Sequence, residues 1–222
     1  MARSAPISEH HVSIERTARF VTRGKPHERL EEIWFVCHGY GELASTFIRG
    51  FSILDAKTRF IVAPEALGRF YLDREHQKVG ASWMTREDRL NEIRDYVEYL
   101  DAVHAEIFRR IAGASVRVRV LGFSQGAATA ARWACRGAVR VEHLILWGEA
   151  LPPELEDEAS LRKLRSMRLT VVAGNRDRLF TDEHRRGLRE RLEHLDIPFE
   201  ELTFDGGHRL DDATLVKLTN RI

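Results

Sequence analysis

The sequence has little of what would cross-link a protein or anchor it in a membrane. It contains two cysteines, Cys37 and Cys135, in 222 residues. Cys37 lies in an apolar, strand-like run, so we expect two buried free thiols rather than a disulfide. No apolar run reaches the roughly 18 residues of a membrane-spanning helix, and the first residues lack the apolar core of a signal peptide. These absences predict a cytoplasmic protein with no stable membrane insertion.

The sequence also lacks an excess of charge of either sign. Lysine and arginine total 35 against 34 acidic residues, which gives a formal net charge of +1 and no general reason to expect a nucleic-acid partner. There is no internal repeat, linker or low-complexity segment. A hydrophobic content of 43% and a charged content of 31% are typical of a globular protein, so we expect residues 1–222 to form a single domain.

One stretch predicts a strand, a sharp turn and a helix in succession. Valines alternate with arginines from Val116 to Val120, and an alanine-rich segment follows Gly126. Between them lies Gly122-x-Ser124-x-Gly126, the pattern of a nucleophile elbow, in which a tight turn presents a serine above a sheet. Side chains in place of these glycines would clash with neighbouring backbone. The strand before and the helix after the pattern make this interpretation strong.

Apolar runs alternate with helical patterns along the rest of the chain. Runs at 32–37, 59–63, 141–147, 169–173 and 199–204 predict strands, and residues 11–22 predict an antiparallel edge strand. Helices are expected over 42–54, from Thr85 to Ile111, over 160–167, over 181–195 and from Asp211, whereas residues 65–84 are expected to form a long loop. This alternation predicts an α/β fold, with a mostly parallel central sheet and helices on both faces.

Three predicted strand ends carry the residue types of a catalytic triad, in the order Ser124, Asp177 and His208. Ser124 would attack an acyl carbon, His208 would act as general base and then acid, and Asp177 would orient the imidazole. Asp182 and Asp205 are rival acids. We favour Asp177, because Asp182 suits a helix N-terminus and Asp205 is too close to His208 in sequence to come from a separate strand end.

The segment His38-Gly39-Tyr40-Gly41 follows an early strand, where a second oxyanion donor is expected. The backbone N–H groups of Tyr40 and Gln125 are therefore the predicted oxyanion hole. His38 has no companion ligands in the sequence, so we expect no metal site there.

Four motifs together resemble the phospholipase/carboxylesterase family, which includes acyl-protein thioesterases. They are His-Gly-Tyr-Gly, Leu-Gly-Phe-Ser-Gln-Gly-Ala, Gly-Asn-Arg-Asp and Gly-Gly-His, in this order. The resemblance implies an α/β-hydrolase fold, hydrolysis of carboxylic esters or thioesters, no metal or organic cofactor, and oxyanion donors at Tyr40 and Gln125. The sequence departs from the family at Glu42, where the family has aspartate, and at Trp147, where it has a smaller residue. No long apolar insertion separates Trp147 from Leu169, so we expect no large lid.

Several large apolar residues flank the predicted strand ends and are expected to line a substrate pocket: Trp83, Trp147, Leu151, Leu179 and Phe180. If the Trp147 indole projects toward the site, it favours short acyl groups.

The main interpretation is a small serine esterase or thioesterase acting on a small-molecule substrate. A serine peptidase or amide hydrolase stays open, since a triad does not fix the leaving group. So does a binding scaffold that has lost catalysis. A homo-oligomer is compatible with the sequence, which does not specify the oligomeric state.

Overall fold

The computed structural model describes residues 7–27, 29–54, 57–111 and 116–219. A seven-stranded sheet has the order β1-β3-β2-β6-β7-β8-β9, and β4 pairs with β5 in a separate hairpin. Only β1, paired with β3, is antiparallel in the large sheet. The strands are β1 (Phe20–Arg23), β2 (Glu32–Cys37), β3 (Arg59–Pro64), β4 (Gly68–Tyr71), β5 (Val79–Ser82), β6 (Arg117–Phe123), β7 (His143–Trp147), β8 (Arg168–Gly174) and β9 (Glu200–Phe204).

Helices cover both faces of the large sheet. The helices are α1 (Ala44–Phe47), α2 (Arg89–Arg110), α3 (Gln125–Arg136), α4 (Glu158–Ser166), α5 (Asp182–His194) and α6 (Asp212–Thr219). Alternate residues of β2 point to opposite faces, so Phe35 packs with the core beneath α2 to α5 while Trp34 packs with α1 and α6. None of the helices in these described ranges is both long and apolar enough to span a bilayer. The predicted architecture is confirmed.

The structure differs from the predicted elements in four main places. The helix predicted over 42–54 is only the short α1, Ala44–Phe47, followed by a 3₁₀ turn, Ile48–Phe51. Residues 65–84 are not a loop throughout, because β4 and β5 form a hairpin within them. Residues 11–19 are irregular, and only Phe20–Arg23 of the predicted edge strand pair with β3. The helix predicted from Thr85 begins at Arg89, after Asp88 with a φ of 49°. Leu90, in the first turn of this helix, is 72% exposed.

A buried ion pair ties the sheet to α6 near the amino-terminal ends of the parallel strands. Glu32 on β2 and Arg119 on β6 are almost fully buried and lie 2.6 Å apart. Glu32 also accepts hydrogen bonds from the Trp34 indole and from Arg59, while Arg119 donates to the Leu218 carbonyl of α6. Burial raises the pKa of Glu32, but the hydrogen bonds and the nearby arginines outweigh this effect and hold the pKa below its usual value.

We expect Glu32→Leu to lower the free energy of unfolding by about 3 to 5 kcal/mol, because it leaves Arg119 buried without its carboxylate. Urea denaturation measures this change. The double variant Glu32→Leu/Arg119→Met should recover part of the loss. Glu156→Gln, which removes a surface partner of Arg191, should cost less than about 1 kcal/mol; an equal cost in both single variants would contradict the prediction.

The same pair should make stability depend on pH. Since the folded-state pKa of Glu32 is lowered, its contribution is present above the usual carboxyl pKa and is lost as the pH falls through the lowered value.

Candidate active site

Ser124 lies at the turn between β6 and α3, in a conformation that few side chains adopt. Its φ is 52° and its ψ is −126°, and its N–H donates to the Trp147 carbonyl at 2.8 Å. A Cβ at Gly122 would overlap the backbone of Gly126, and one at Gly126 would overlap the Cys37 carbonyl. The spacing of the two glycines therefore follows from close backbone packing, and the strained serine is a candidate functional residue.

Asp177 and His208 form a hydrogen-bonded pair. Asp177 follows β8 and His208 follows β9, and the Nδ1 of His208 lies 2.7 Å from Oδ2 of Asp177. The other carboxylate oxygen of Asp177 accepts the N–H groups of Leu179 at 2.8 Å and Phe180 at 3.0 Å. The Asp177 side chain is 2% exposed, so its orientation is fixed by these bonds.

The environment of Asp177 keeps it ionised. Burial raises the pKa of this carboxyl, but the Phe180 N–H, the His208 ring and the Leu179 N–H outweigh burial, so the pKa lies below its usual value. The rival acids have different partners: Asp205 is 77% exposed and pairs with Arg176, and Asp182 is 74% exposed and pairs with Arg185. Of the three acids, only Asp177 contacts His208 among the described residues.

The His208 ring lies beside the elbow with its second nitrogen unpaired. Its centroid is 4.8 Å from that of Phe123, the residue before Ser124. Nε2 is buried and has no hydrogen-bond partner among the described residues, so His208 lies beside the elbow without a direct hydrogen bond to Ser124. Catalytic hydrogen bonds are often longer in the absence of substrate. An unpaired buried nitrogen in this position can accept a proton.

The N–H groups of the two predicted oxyanion donors have no intramolecular acceptor among the described residues. In the described part of the chain, neither the Tyr40 N–H nor the Gln125 N–H donates a hydrogen bond. The loop that carries Tyr40 is held at both ends: the His38 ring accepts the Ala66 N–H at 3.1 Å, and the Gly41 N–H donates to the Ala81 carbonyl at 2.9 Å. Burial lowers the pKa of His38 and so favours its neutral form, which suits this structural role.

Sequence reasoning missed the role of the Gln125 side chain. Its amide oxygen accepts the Trp83 N–H at 3.0 Å, and its amide nitrogen donates to the Met84 carbonyl at 2.8 Å. The Trp83 indole in turn donates to the His38 carbonyl at 2.8 Å. These bonds hold the chain just after β5 against both the elbow and the loop that carries Tyr40. The only indication of this role in the sequence is a long polar residue directly after the predicted nucleophile.

A family model described as "Serine hydrolase (FSH1)" matches residues 38–213, which include all these groups. This chain belongs to the FSH1 serine hydrolase family. The prediction of a serine hydrolase is thus confirmed. No curated protein shows significant sequence similarity to this hydrolase.

Solved structures with the same fold include esterases and thioesterases. Acyl-protein thioesterase 2 of Zea mays has a TM-score of 0.68 at 15% identity, over 91% of this chain and 96% of that one. A phospholipase/carboxylesterase from Dyadobacter fermentans DSM 18053 has a TM-score of 0.63 at 20% identity, with the same coverage. The Bacillus cereus carboxylesterase has a TM-score of 0.62 at 14% identity, over 90% of this chain and 91% of that one. These neighbours confirm the α/β-hydrolase fold, and the second carries the name of the family that the motifs resemble.

Four of the five residues predicted to line a pocket are buried in the hydrolase core. Relative exposure is 2% for Trp83, 1% for Trp147, 1% for Leu151 and 2% for Phe180, so they offer almost no surface to a ligand. Leu179 is 67% exposed, beside Asp177. Their burial lends no support to the pocket role, which stays a prediction: apolar side chains at strand ends can pack against the sheet without lining a cleft.

Trp147 contacts the chain on either side of His208. Its indole packs against Phe204 and donates to the carbonyl of Arg209, the residue after His208, at 2.9 Å.

Among the described residues, one cluster of side chains outside the candidate site could bind a metal ion. Glu9, His11 and Asp88 bring ligand atoms within 4.8 Å of one another, but all three are exposed. His11 and Asp88 also line a cavity of about 860 Å³ between residues 11–20 and α2, which includes none of the residues of the candidate site. Neither feature contributes to the chemistry at Ser124.

We expect Trp147→Phe to lower the free energy of unfolding by about 1 to 3 kcal/mol, because it removes the part-buried hydrogen bond to the Arg209 carbonyl and some of the packing of a buried indole. Thermal or urea unfolding measures this loss. The relative rates on p-nitrophenyl esters from C2 to C12 should keep their order. Leu179→Ala serves as the exposed comparison and should leave stability nearly unchanged. A selective gain in the rate on long-chain esters in Trp147→Phe would instead support the predicted pocket role of Trp147.

Proposed function

We propose that this hydrolase cleaves carboxylic esters or thioesters through an acyl-enzyme formed on Ser124, as a small carboxylesterase. The observation that carries the proposal is the arrangement at His208. One ring nitrogen is bonded to the ionised Asp177 at 2.7 Å, and the other is buried and unpaired beside the elbow that presents Ser124. A serine hydroxyl needs such an oriented base to become a nucleophile.

In the proposed first half-reaction, the Ser124 oxygen attacks the acyl carbon while Nε2 of His208 takes its proton. Asp177 keeps the Nδ1 proton directed at its own carboxylate, which leaves Nε2 as the acceptor, and its charge stabilises the imidazolium that forms. His208 then gives the proton to the departing alcohol or thiol. In the second half-reaction, water attacks the acyl-enzyme with His208 again as base, and Ser124 regains its proton.

The N–H groups of Tyr40 and Gln125 would stabilise the negative oxygen that develops in both half-reactions. They lie at the start of α3 and on a loop that is hydrogen-bonded to Ala66 and to Ala81 of β5, and they donate to no other described group. Preorganised donors of this kind require little rearrangement when the charge develops.

The surroundings of the cleft support a small-molecule substrate. Between β7 and β8 the chain forms the turn Pro153–Leu155 and α4, whose Leu164 is buried in the core, so this connection contributes no large lid. Exposed apolar surface near the oxyanion loop comes from Tyr40, 61% exposed, and from Leu72, which would touch a Cβ at Gly41. A cytoplasmic location and the oligomeric state stay predictions.

Two related activities use the same groups. The name of the Zea mays neighbour supports an acyl-protein thioesterase, or a lysophospholipase, as an alternative. A peptidase or amide hydrolase requires the same triad. Matched p-nitrophenyl ester, thioester and p-nitroanilide substrates with one acyl group discriminate among them. A scaffold without catalysis is disfavoured because His208 is hydrogen-bonded to Asp177 and lies against Phe123, the residue before Ser124.

We expect Ser124→Ala to reduce ester turnover by on the order of 10⁴ or more while the protein stays folded, because the nucleophile is lost. Turnover and circular dichroism measure the two effects. A fluorophosphonate probe should label Ser124 alone. Ser166→Ala, which removes a hydroxyl bonded only to the Lys163 carbonyl, is the control and should retain wild-type turnover. Full activity in folded Ser124→Ala, or labelling of another serine, would contradict the proposal.

Replacing Asp177 by asparagine should lower turnover by roughly 10³ to 10⁴, because the amide favours the wrong tautomer of His208. Asp205→Asn removes an exposed acid of the neighbouring loop and should change turnover little. Steady-state kinetics on one ester compare the two variants. If Asp205→Asn were the more damaging change, the assignment of the acid would be wrong.

A further inference from the structure

A second carboxylate, that of Glu42, lies near His208 and is not part of the proposed triad. Its Oε2 accepts the Gly39 N–H at 2.8 Å. A Cβ built at Gly39 would lie 3.0 Å from this oxygen and 3.1 Å from the Phe123 ring, so the carboxylate packs tightly over the loop. Phe123 also contacts His208, which places Glu42 on the side of the cleft that faces the proposed base.

Glu42 closes the loop that carries the Tyr40 N–H. Its own N–H donates to the Gly39 carbonyl at 3.3 Å while its side chain accepts from the Gly39 N–H, so the turn from 39 to 42 is bonded to itself in both directions. Its carbonyl accepts the Ala81 N–H at 3.2 Å, which joins the turn to β5. Tyr40 lies within this turn, and its N–H donates to no other group among the described residues.

The charge of Glu42 has no arginine or lysine partner among the described residues. Burial raises the pKa of Glu42 above its usual value, although the Gly39 N–H and, to a lesser extent, the charge of a protonated His208 oppose this effect. The Gly39 hydrogen bond is therefore the main compensation for a half-buried carboxylate, and a hydrogen bond to an ionised acceptor is stronger than a neutral one.

We propose that Glu42 is a positioning residue for the oxyanion hole: by holding the Gly39 N–H, it fixes the turn in which the Tyr40 N–H points at the developing oxyanion. This inference rests on the proposed function. Glu42 would act through Gly39 and Tyr40, without contact with the substrate. Its removal should therefore affect the chemical steps more than substrate binding.

Glu42→Leu removes the acceptor, and Glu42→Gln keeps an acceptor oxygen without the charge. Loss of an oxyanion donor costs about 10²- to 10³-fold in kcat, so misplacement of one should cost about 10- to 100-fold. We expect that loss in Glu42→Leu with KM within about two-fold of wild type, and we expect Glu42→Gln to recover most of it. A trifluoromethyl ketone, which forms a tetrahedral oxyanion on the serine, should bind Glu42→Leu more weakly by the factor lost in kcat/KM.

Asp157→Ala is the matched control. Asp157 is also an acid that accepts backbone N–H groups, those of Ala159 and Ser160 at the start of α4. It should lower the melting temperature and leave kcat unchanged, which separates lost stability from lost positioning.

A measurement that needs no substrate tests the contact itself. The amide proton of Gly39 should shift in the NMR spectrum as the Glu42 carboxyl titrates, and this titration should vanish in Glu42→Gln. It remains available if Glu42→Leu does not fold.

Three outcomes would overturn the inference. They are unchanged kcat in folded Glu42→Leu, a loss confined to KM, and a Gly39 amide that does not titrate with Glu42. Any of these in an enzyme that hydrolyses esters and is labelled at Ser124 contradicts the role of Glu42 alone. A wild-type protein without hydrolysis or labelling contradicts the proposed function as well.

Discussion

The contact between the first turn of α3 and the end of β2 is the constraint on which the rest of the site depends. The Gly126 backbone approaches the Cys37 and His38 carbonyls so closely that no side chain fits between them. This contact places the free N–H of Gln125 beside the loop that carries the free N–H of Tyr40. The strained φ of Ser124 follows from it, because the chain must reverse direction within one residue to leave β6 and begin α3. The Gln125 side chain and the Trp83 indole then fasten β5 across the same junction.

The parts of the molecule that follow from local pattern could be predicted from the sequence. β2 was predicted with its observed bounds, because six successive buried residues are typical of a parallel strand covered on both faces. The family follows from the elbow and the order of the motifs. The pairing of Asp177 with His208 could be anticipated for a related reason, since parallel strands bring their carboxyl ends to one edge of the sheet. The roles assigned to these residues stay proposals.

The parts that depend on non-local contacts could not be predicted. The β4–β5 hairpin joins Gly68–Tyr71 to Val79–Ser82 across a long connection, and neither strand has a strong alternating pattern. The start of α2 shifts from Thr85 to Arg89 because Asp88 adopts a left-handed conformation, which aspartate tolerates better than most residues but does not require. The burial of Trp147 was missed because an indole at a strand end fits a pocket or a core equally well in sequence. Only the partner of its N–H, the Arg209 carbonyl, distinguishes the two.

The position of His208 explains why glycines surround it. It follows β9, three strands away from β6 in the order β6-β7-β8-β9, and neighbouring strands are about 4.8 Å apart. The loop from Asp205 to His208 must therefore pass over the ends of β8 and β7 to bring the imidazole to Ser124. Where it crosses β8, a Cβ at Gly174 would overlap the carbonyls of Gly206 and Gly207. Where the ring passes over the end of β7, Gly148 has a φ of 69°, and a Cβ there would lie 3.0 Å from the ring. Asp177 follows β8, the strand that this loop crosses, and its carboxylate can therefore reach and orient the His208 ring. The small residues at three strand ends thus follow from one geometric requirement, which is to bring a side chain from the edge of the sheet to its centre.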